Sequence, residues 1–442
     1  MKEELSYKKI FLFWAPLLAT WLMMSVEGPY LTALIARMKD PEFNLAAYGV
    51  AFSFALIVES PVIMMLSAST ALVDGNKSFC KLRNFVYAVN LILVVFMLIV
   101  IYPPVFDFIS IKLINLPERV AHLTHMAVAI LIPWAPAIGY RRFYQGILIR
   151  NNRTRIVAYG TVVRLTAMSL TAFILFGFTT VHGVVVGASA LSVGVISEAI
   201  ATRLMSYKTI KHIRKSTDSG SDISYGEIIK FYYPLILTSF ISLGIHPVVT
   251  FFLGQSKMPL ESLAVLPVLN SLVFLFRAFG LSYQEVGIAL IKTKDDFIML
   301  RNFAYGIAIF VFAGLASISF TSLSDLWLIG VSGLSNNLAD FAKPALMLYT
   351  FFPITTVWIN FQRSLLVNVR TTKPITYATI TEVAGVVLML LVTIKYFNIV
   401  GVTAAIISYT LGRLFANFYL IRPFNKAKLT VTEREIATQQ LV

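Results

Sequence analysis

The sequence predicts an all-α polytopic membrane protein whose twelve transmembrane helices form two parallel six-helix repeats, related by a pseudo-two-fold axis along the membrane normal. Three observations predict this fold class. The 442 residues are 57% hydrophobic and only 13% charged, apolar runs of about 20 residues recur along the chain, and the two halves match at a fixed offset. Such a composition leaves too little polar surface to cover a water-exposed globule.

Twelve apolar runs are long enough to cross a bilayer, and polar turn residues such as Asp74-Gly75-Asn76 separate them. We number them span 1 to span 12. They cover approximately residues 9–36, 45–72, 84–105, 120–146, 156–178, 183–206, 228–253, 262–291, 300–322, 340–366, 375–396 and 401–422. Two further segments, 106–116 and 324–334, are predicted as short interfacial helices.

The halves of the chain correspond when 218 is added to a residue number in the first half. Pro29 then matches Pro247, and the Leu-Arg-Asn-Phe stretch at 82–85 recurs at 300–303. Polar and proline matches on one ungapped offset predict a duplicated six-helix unit. We therefore expect an N-terminal lobe at 1–207, a cytoplasmic linker at 208–225, a C-terminal lobe at 226–425 and a cytoplasmic tail at 426–442.

The basic residues indicate the orientation. Net charge is +15, and most of the 37 Lys and Arg residues lie in the segments on the side of the two termini. Because basic residues are enriched in cytoplasmic loops, both termini are predicted to be cytoplasmic and the protein to lie in the plasma (inner) membrane. This asymmetry explains the basic pI without a nucleic-acid partner.

Motifs of enzyme chemistry are missing from the sequence. The single cysteine, Cys80, excludes an intramolecular disulfide and a cysteine metal cluster. No phosphate-binding loop or nucleophile motif is present, and His122 and His125 have no third metal ligand nearby. We therefore expect no enzymatic activity, no metal and no cofactor.

Ionisable side chains recur inside the predicted spans. Each costs about 2.5–3.5 kcal/mol on insertion scales, so it normally faces a partner or a wet cavity. They are either paired within their own half or face a water-filled cleft. We predict that they mark a substrate or ion pathway formed by Glu27, Glu59, Arg164, Glu198, His246, Arg277, Glu285, Glu382 and Arg413.

The repeat relates four of these residues. Glu59 corresponds to Arg277 and Arg164 to Glu382, so equivalent positions carry opposite charges twice. Glu59 is predicted to pair with Arg277 across a cleft in one state of an alternating-access cycle.

Proline interrupts the first span of each repeat at equivalent positions, Gly28-Pro29 and His246-Pro247. A proline inside a helix frees a carbonyl and bends the helix. Such helix breaks either line a transport site or are kinks that serve packing.

Twelve helices in two parallel repeats with proline-broken spans 1 and 7 resemble the multidrug and toxic compound extrusion (MATE) fold and its flippase relatives. Residues 45–53, Leu-Ala-Ala-Tyr-Gly-Val-Ala-Phe-Ser, are similar to a stretch of the progressive ankylosis protein family, as is Phe351-Phe352-Pro353. Glu27 and Glu285 also fall where that family carries glutamates. The sequence departs from the animal proteins at Gly287, where they have arginine.

The resemblance implies export of anionic metabolites such as pyrophosphate, nucleotide or citrate. The drug-extrusion branch implies proton- or sodium-coupled efflux of organic cations instead, and the same fold permits a lipid-linked precursor flippase. A scaffold protein without transport is the remaining alternative.

The residues themselves favour anions slightly. Arg164, Arg277 and Arg413 suit phosphate or carboxylate, whereas the glutamates suit protons, sodium or a cationic drug. We predict a monomeric secondary exporter of a small molecule in a lipid bilayer, working by alternating access, with H⁺ or Na⁺ as candidate coupling ion.

Overall fold

The computed structural model describes residues 5–151, 153–215, 223–369 and 371–439. Their regular structure is helical, apart from one isolated bridge between Lys257 and Val400. Twelve candidate spans in these ranges are long and apolar enough to cross a membrane, which confirms the predicted all-α polytopic fold class.

Most spans are single helices, and spans 1, 2, 4, 7 and 10 are each formed by two consecutive helices. The helices are α1 Tyr7–Ser25, α2 Glu27–Ala36, α3 Pro41–Ile63, α4 Met65–Leu72, α5 Asn76–Val100, α6 Pro103–Asp107, α7 Glu118–Ile130, α8 Trp134–Arg150, α9 Thr154–Phe178, α10 Gly183–Met205, α11 Tyr207–Lys215, α12 Tyr225–Leu243, α13 Ile245–Gly254, α14 Pro259–Leu290, α15 Lys294–Ser319, α16 Leu323–Asp325, α17 Asn336–Tyr349, α18 Phe352–Asn368, α19 Lys373–Leu390 and α20 Gly401–Gln439. Turns of π-helix follow α6, α16 and α19 at Phe108–Leu113, Leu326–Val331 and Leu391–Tyr396.

The backbone repeats at the same offset as the sequence. Asp40 and Met258, the N-caps of α3 and α14, both have positive φ angles of 53° and 54°. Asn115 and Gly333 form a second such pair, at 65° and 73°. Because positive φ is uncommon outside glycine, these coincidences show that the two repeats share their local backbone structure.

The chain divides into two compact units. The N-terminal unit comprises residues 34–255, and the C-terminal unit comprises residues up to 33 together with residues from 256 onward. These units differ from the predicted lobes at 1–207 and 226–425. Span 1 belongs to the unit of spans 8 to 12, and span 7 to the unit of spans 2 to 6.

Side-chain packing explains this exchange of first spans. In α1, the indole of Trp14 donates a hydrogen bond of 2.8 Å to the Ser282 hydroxyl and packs edge-on against Phe303. In α12, the Tyr232 hydroxyl donates to the carbonyl of Pro61, and its ring packs edge-on against Phe85. Each first span thus joins the hydrophobic core of the unit formed by the other repeat.

The connecting segments contain more helix than the sequence indicated. Within the predicted linker at 208–225, α11 reaches Lys215 and buries Ile210, whereas residues 216–222 lie outside the described part of the chain. In the predicted tail at 426–442, α20 continues to Gln439. Both predicted interfacial segments are helical and end in a π-helical turn.

Candidate functional site: two buried charge clusters

Each unit encloses one cluster of charged side chains. The N-terminal cluster consists of Glu59, Arg141, Arg142, Arg164 and Glu198. The C-terminal cluster consists of Arg277, Arg363, Glu382 and Arg413. Both lie on membrane-spanning helices, where water cannot solvate unpaired charges as it does at a protein surface.

In the N-terminal cluster, α8 supplies two donors to one carboxylate. Arg141 donates to Oε2 of Glu198, and Gln145 donates to Oε1 at 3.1 Å. The two donors are four residues apart, so they lie on one face of α8. Arg164 of α9 approaches the same carboxylate at 3.9 Å. Glu198, which has no exposed surface, is therefore held by three side chains.

Glu59 is bound more loosely than Glu198. It is 7% exposed, and among the described residues it makes no hydrogen bond or ion pair. The charges that act on it most strongly are Arg142 and then Arg141. Arg142 also makes no hydrogen bond to the described residues, and its Nε is buried without a partner. This carboxylate and guanidinium are close enough to influence each other without forming a fixed pair.

In the C-terminal cluster, one glutamate lies between two arginines. Nε and Nη2 of Arg413 both lie 2.7 Å from Oε1 of Glu382. Nη2 of Arg363 lies 4.0 Å from the other oxygen, Oε2. Arg413 also donates to the Thr356 hydroxyl at 3.4 Å. One carboxylate on α19 thus organises guanidinium groups from α18 and α20.

Arg277 of α14 completes this cluster without a carboxylate. Its guanidinium carbon lies 4.9 Å from the ring centroid of Phe352, and that of Arg413 lies 5.0 Å from the same centroid. Stacking on an aromatic face stabilises a cation only partly. No described carboxylate lies within ion-pair distance of Arg277, and its Nε is buried without a partner.

The C-terminal cluster therefore carries three guanidinium groups and one carboxylate. Buried polar atoms without a hydrogen-bond partner are rare in folded proteins. Several occur on or beside this cluster, namely Arg277 Nε, Arg363 Nε, Gln362 Oε1, Tyr409 Oη and Asn417 Oδ1. The two guanidinium Nε atoms are donors, and together with the excess positive charge they suit an anion with oxygen acceptors, whereas the amide oxygens of Gln362 and Asn417 are acceptors.

The structure brings six of the nine predicted pathway residues into the two clusters. Glu59, Arg164 and Glu198 lie in the N-terminal one, and Arg277, Glu382 and Arg413 in the C-terminal one. Because Glu59 and Arg277 belong to different units, their direct pairing stays a prediction.

The other predicted residues lie elsewhere in the fold. Glu27 is buried and begins α2, directly after the break between α1 and α2 at Val26, and half-buried His246 follows the equivalent break between α12 and α13 at Gly244. Pro29 and Pro247 are each the third residue after their break. Glu285 is exposed on α14.

Sequence reasoning missed Arg141, Arg142, Arg363 and the ring of Phe352. A signal was available for the arginines, since all three lie inside the predicted spans 4 and 10. Gln145 and Arg363 are also equivalent in the repeat, and each faces the main glutamate of its own cluster. Phe352 lies in the Phe351-Phe352-Pro353 stretch of the family resemblance, but that stretch gave no indication that its ring stacks on guanidinium groups.

Residues 16–174 of the sequence match the family model MatE. No curated protein matches the sequence. The family match covers most of spans 1 to 5.

Solved structures with the same fold include transporters and a flippase. An inward-facing multidrug resistance MATE family transporter of the MOP superfamily has a TM-score of 0.70 and 14% identity, over 94% of this chain and 95% of that chain. The lipid II flippase MurJ in an inward closed conformation has a TM-score of 0.73 and 18% identity, over 94% and 90%.

A MOP superfamily transporter from Pyrococcus furiosus also has this fold, with a TM-score of 0.60 and 14% identity over 97% and 99% of the chains. Its binding pocket is described as having reverse polarity, which suggests a different function for that protein. These similarities cover nearly all of the chain. They confirm the predicted MATE-like fold: the chain has the fold of the MATE transporters and of the MurJ flippase, which the MOP superfamily unites.

Proposed function

We propose that the protein is a secondary active exporter of small anions that binds its substrate at the C-terminal cluster. The observation that carries this proposal is the charge imbalance there, three buried or half-buried guanidinium groups with a single carboxylate. A bound anion would supply the missing negative charge. The fold supports transport rather than catalysis, because the proteins that share it are transporters and a flippase.

The chemistry of the cluster defines the class of anion. Guanidinium groups hold phosphate and carboxylate by paired N–H···O bonds that lysine cannot form. Three of them, two stacked on Phe352, suit a polyvalent anion with several oxygens or with a planar ring. Pyrophosphate, nucleotides and citrate-like acids, which the family resemblance implies, meet this description.

An organic cation would be repelled at the C-terminal cluster by the excess positive charge. Efflux of cations coupled to H⁺ or Na⁺ would instead use carboxylates, and Glu59 is the buried carboxylate without a fixed partner in the described chain. We therefore retain the MATE-type cation antiporter as the second candidate. In the anion proposal, Glu59 and Glu27 are the candidate residues for the coupling ion.

The proposal includes alternating access in the plasma membrane by a monomer with cytoplasmic termini. The basic residues on the side of the termini support this orientation. The third candidate function is that of a lipid-linked precursor flippase. It is supported by the fold shared with MurJ, and it would require the charge clusters to bind a lipid headgroup.

The test is a transport screen with the purified full-length chain in proteoliposomes. Labelled pyrophosphate, citrate, ATP and an organic cation are compared with and without imposed H⁺ or Na⁺ gradients. We expect transport of an anion, and Arg277→Gln should weaken its apparent affinity by about 30-fold or more, because truncating a buried charge partner typically costs that much. Arg277→Lys should restore only part of this affinity, since lysine keeps the positive charge but cannot form the paired N–H···O bonds of a guanidinium group.

The matched control is Arg119→Gln, which removes an arginine whose side chain is 52% exposed and pairs with Asp40. It should transport the anion as the unchanged protein does. Transport of the cation alone, insensitive to Arg277→Gln and lost in Glu59→Gln, would overturn the anion proposal in favour of the antiporter.

A further inference from the structure

An apolar groove of about 320 Å³ runs between α8 and α10 in the N-terminal unit. Ala137 and Tyr140 form one side, and Ile196, Ile200 and Leu204, spaced four residues apart, form the other. Ile200 is 56% exposed and Leu204 70% exposed, although both belong to a candidate membrane span. An exposed apolar groove on a membrane span is in contact with lipid chains.

A positively charged side chain lies at one end of this groove. Arg203 lines it and lies two residues before the end of the span at Met205. Its guanidinium carbon is 5.3 Å from the ring centroid of Tyr144, and no carboxylate in the described chain pairs with it. From Ile196 to Arg203 the helix rises about 10 Å. The groove thus joins an acyl-chain path to a guanidinium at headgroup depth.

The next helix adds further positive charge at the same end. In α11, Ile210 is buried, while Lys208 and Lys211 are exposed. A helix with one apolar and one basic face is typical of the membrane interface, where basic residues attract anionic headgroups. Arg203 and α11 therefore form a basic rim at the end of the groove.

The C-terminal unit contains the equivalent groove without the guanidinium. It has a volume of about 260 Å³ and lies between α18 and α20. Trp358 stands where Tyr140 lies in the first groove, and Ile421 stands where Arg203 lies. The two repeats thus share the groove but differ in the residue at its end, Arg203 in the first and Ile421 in the second. The second groove therefore serves as a comparison without the positive charge.

We propose that the groove of the N-terminal unit binds an anionic phospholipid. One acyl chain lies between α8 and α10, and the phosphate lies against Arg203 and the basic face of α11. This site is separate from the charge clusters, so the proposal holds whichever substrate the protein transports.

Native mass spectrometry of the full-length chain in detergent tests the proposal, with titrations of phosphatidylglycerol and phosphatidylcholine. We expect tighter binding of phosphatidylglycerol. Arg203→Gln should weaken it by about fivefold, the effect of one basic residue at a charged surface, and weaken binding of phosphatidylcholine less, because the choline cation offsets the charge of its phosphate. Arg422→Gln, which removes an exposed arginine near the end of the second groove, is the charge-matched control and should have no effect.

A second variant tests the acyl-chain path. Ala137→Phe fills the groove and should weaken binding of both lipids, with an unchanged elution volume in gel filtration showing that the variant folds. Three results would overturn the proposal: equal affinity for the two lipids, no effect of Arg203→Gln, or displacement of the lipid by soluble glycerol 3-phosphate. A dimer that Ala137→Phe dissociates would assign the groove to a second copy of the chain.

Discussion

The two charge clusters occupy the same repeat framework but balance their charges differently. The N-terminal cluster offers two carboxylates to three arginines, whereas the C-terminal cluster offers one. The ion pair between consecutive spans is also reversed in polarity. Arg164 on span 5 faces Glu198 on span 6, but Glu382 on span 11 faces Arg413 on span 12. Duplication therefore preserved two positions of buried charge, 59/277 and 164/382, with opposite sign, whereas Glu198 corresponds to Ala416 and Arg413 to Val195.

The difference in charge balance bears on substrate binding. The N-terminal cluster has two carboxylates for three arginines, and its fully buried Glu198 joins α8, α9 and α10 through three side-chain contacts. Both clusters have buried guanidinium Nε atoms without a partner, but the C-terminal cluster has the larger excess of positive charge, and buried charges need partners. This difference is the reason that the proposed function places substrate binding at the C-terminal cluster. Removing one charged side chain at a time from each cluster tests this difference.

The largest effect is expected from Glu382→Gln, which leaves three guanidinium groups without a carboxylate. Breaking a buried ion pair by removing one partner costs about 3–5 kcal/mol in the free energy of unfolding. Glu198→Gln should cost less, because Glu59 remains in its cluster. Thermal unfolding of both variants in the same detergent measures the contrast.

A double variant, Glu382→Gln with Arg413→Gln, should recover part of the lost stability, since it removes the stranded charge as well. If the double variant is less stable than the sum of its single changes, the Glu382–Arg413 pair does not organise the cluster.

An intermediate effect is expected from Phe352→Leu, which keeps an apolar side chain but removes the ring beneath Arg277 and Arg413. Loss of two cation–π contacts at a largely desolvated site should cost about 1–2 kcal/mol in the free energy of unfolding. Phe351→Leu changes the exposed neighbouring ring and serves as control. Equal melting temperatures for the two variants would show that the stacking geometry contributes nothing.

The smallest effect is expected from neutralising the equivalent pair Arg277→Gln and Glu59→Gln, one at a time. Neither residue makes an ion pair with another described residue, so each change should alter the free energy of unfolding by within about 1 kcal/mol. Circular dichroism melts compare the two. A loss of several kcal/mol in Arg277→Gln would reveal a structural partner and weaken its assignment to substrate binding.

The sequence contained most of the fold and part of the site. Hydrophobic runs, turn residues and the 218-residue offset predicted all twelve spans, because apolar length and internal repetition are properties of the sequence itself. The packing of span 1 with the second repeat was missed, since contacts such as Trp14 with Ser282 join residues far apart in the chain.

The part of the site that the sequence predicted consists of single charged residues inside apolar runs, because such residues stand out from their neighbours. Arg164, Glu198, Glu382 and Arg413 were found in this way. Their partners within each unit depend on how neighbouring helices are rotated. The sequence alone therefore could not decide that Arg413 contacts Glu382 or that Phe352 lies beneath two guanidinium groups.

The exchange of first spans has a consequence for biogenesis. Span 1 leaves the ribosome first but finds its packing partners, such as Ser282 and Phe303, only after much of the second repeat has been synthesised. The nascent helix must therefore wait in the bilayer or with an insertase until spans 8 and 9 have been synthesised. By the same reasoning, a polypeptide cut between α11 and α12 yields two fragments, neither of which contains a complete unit.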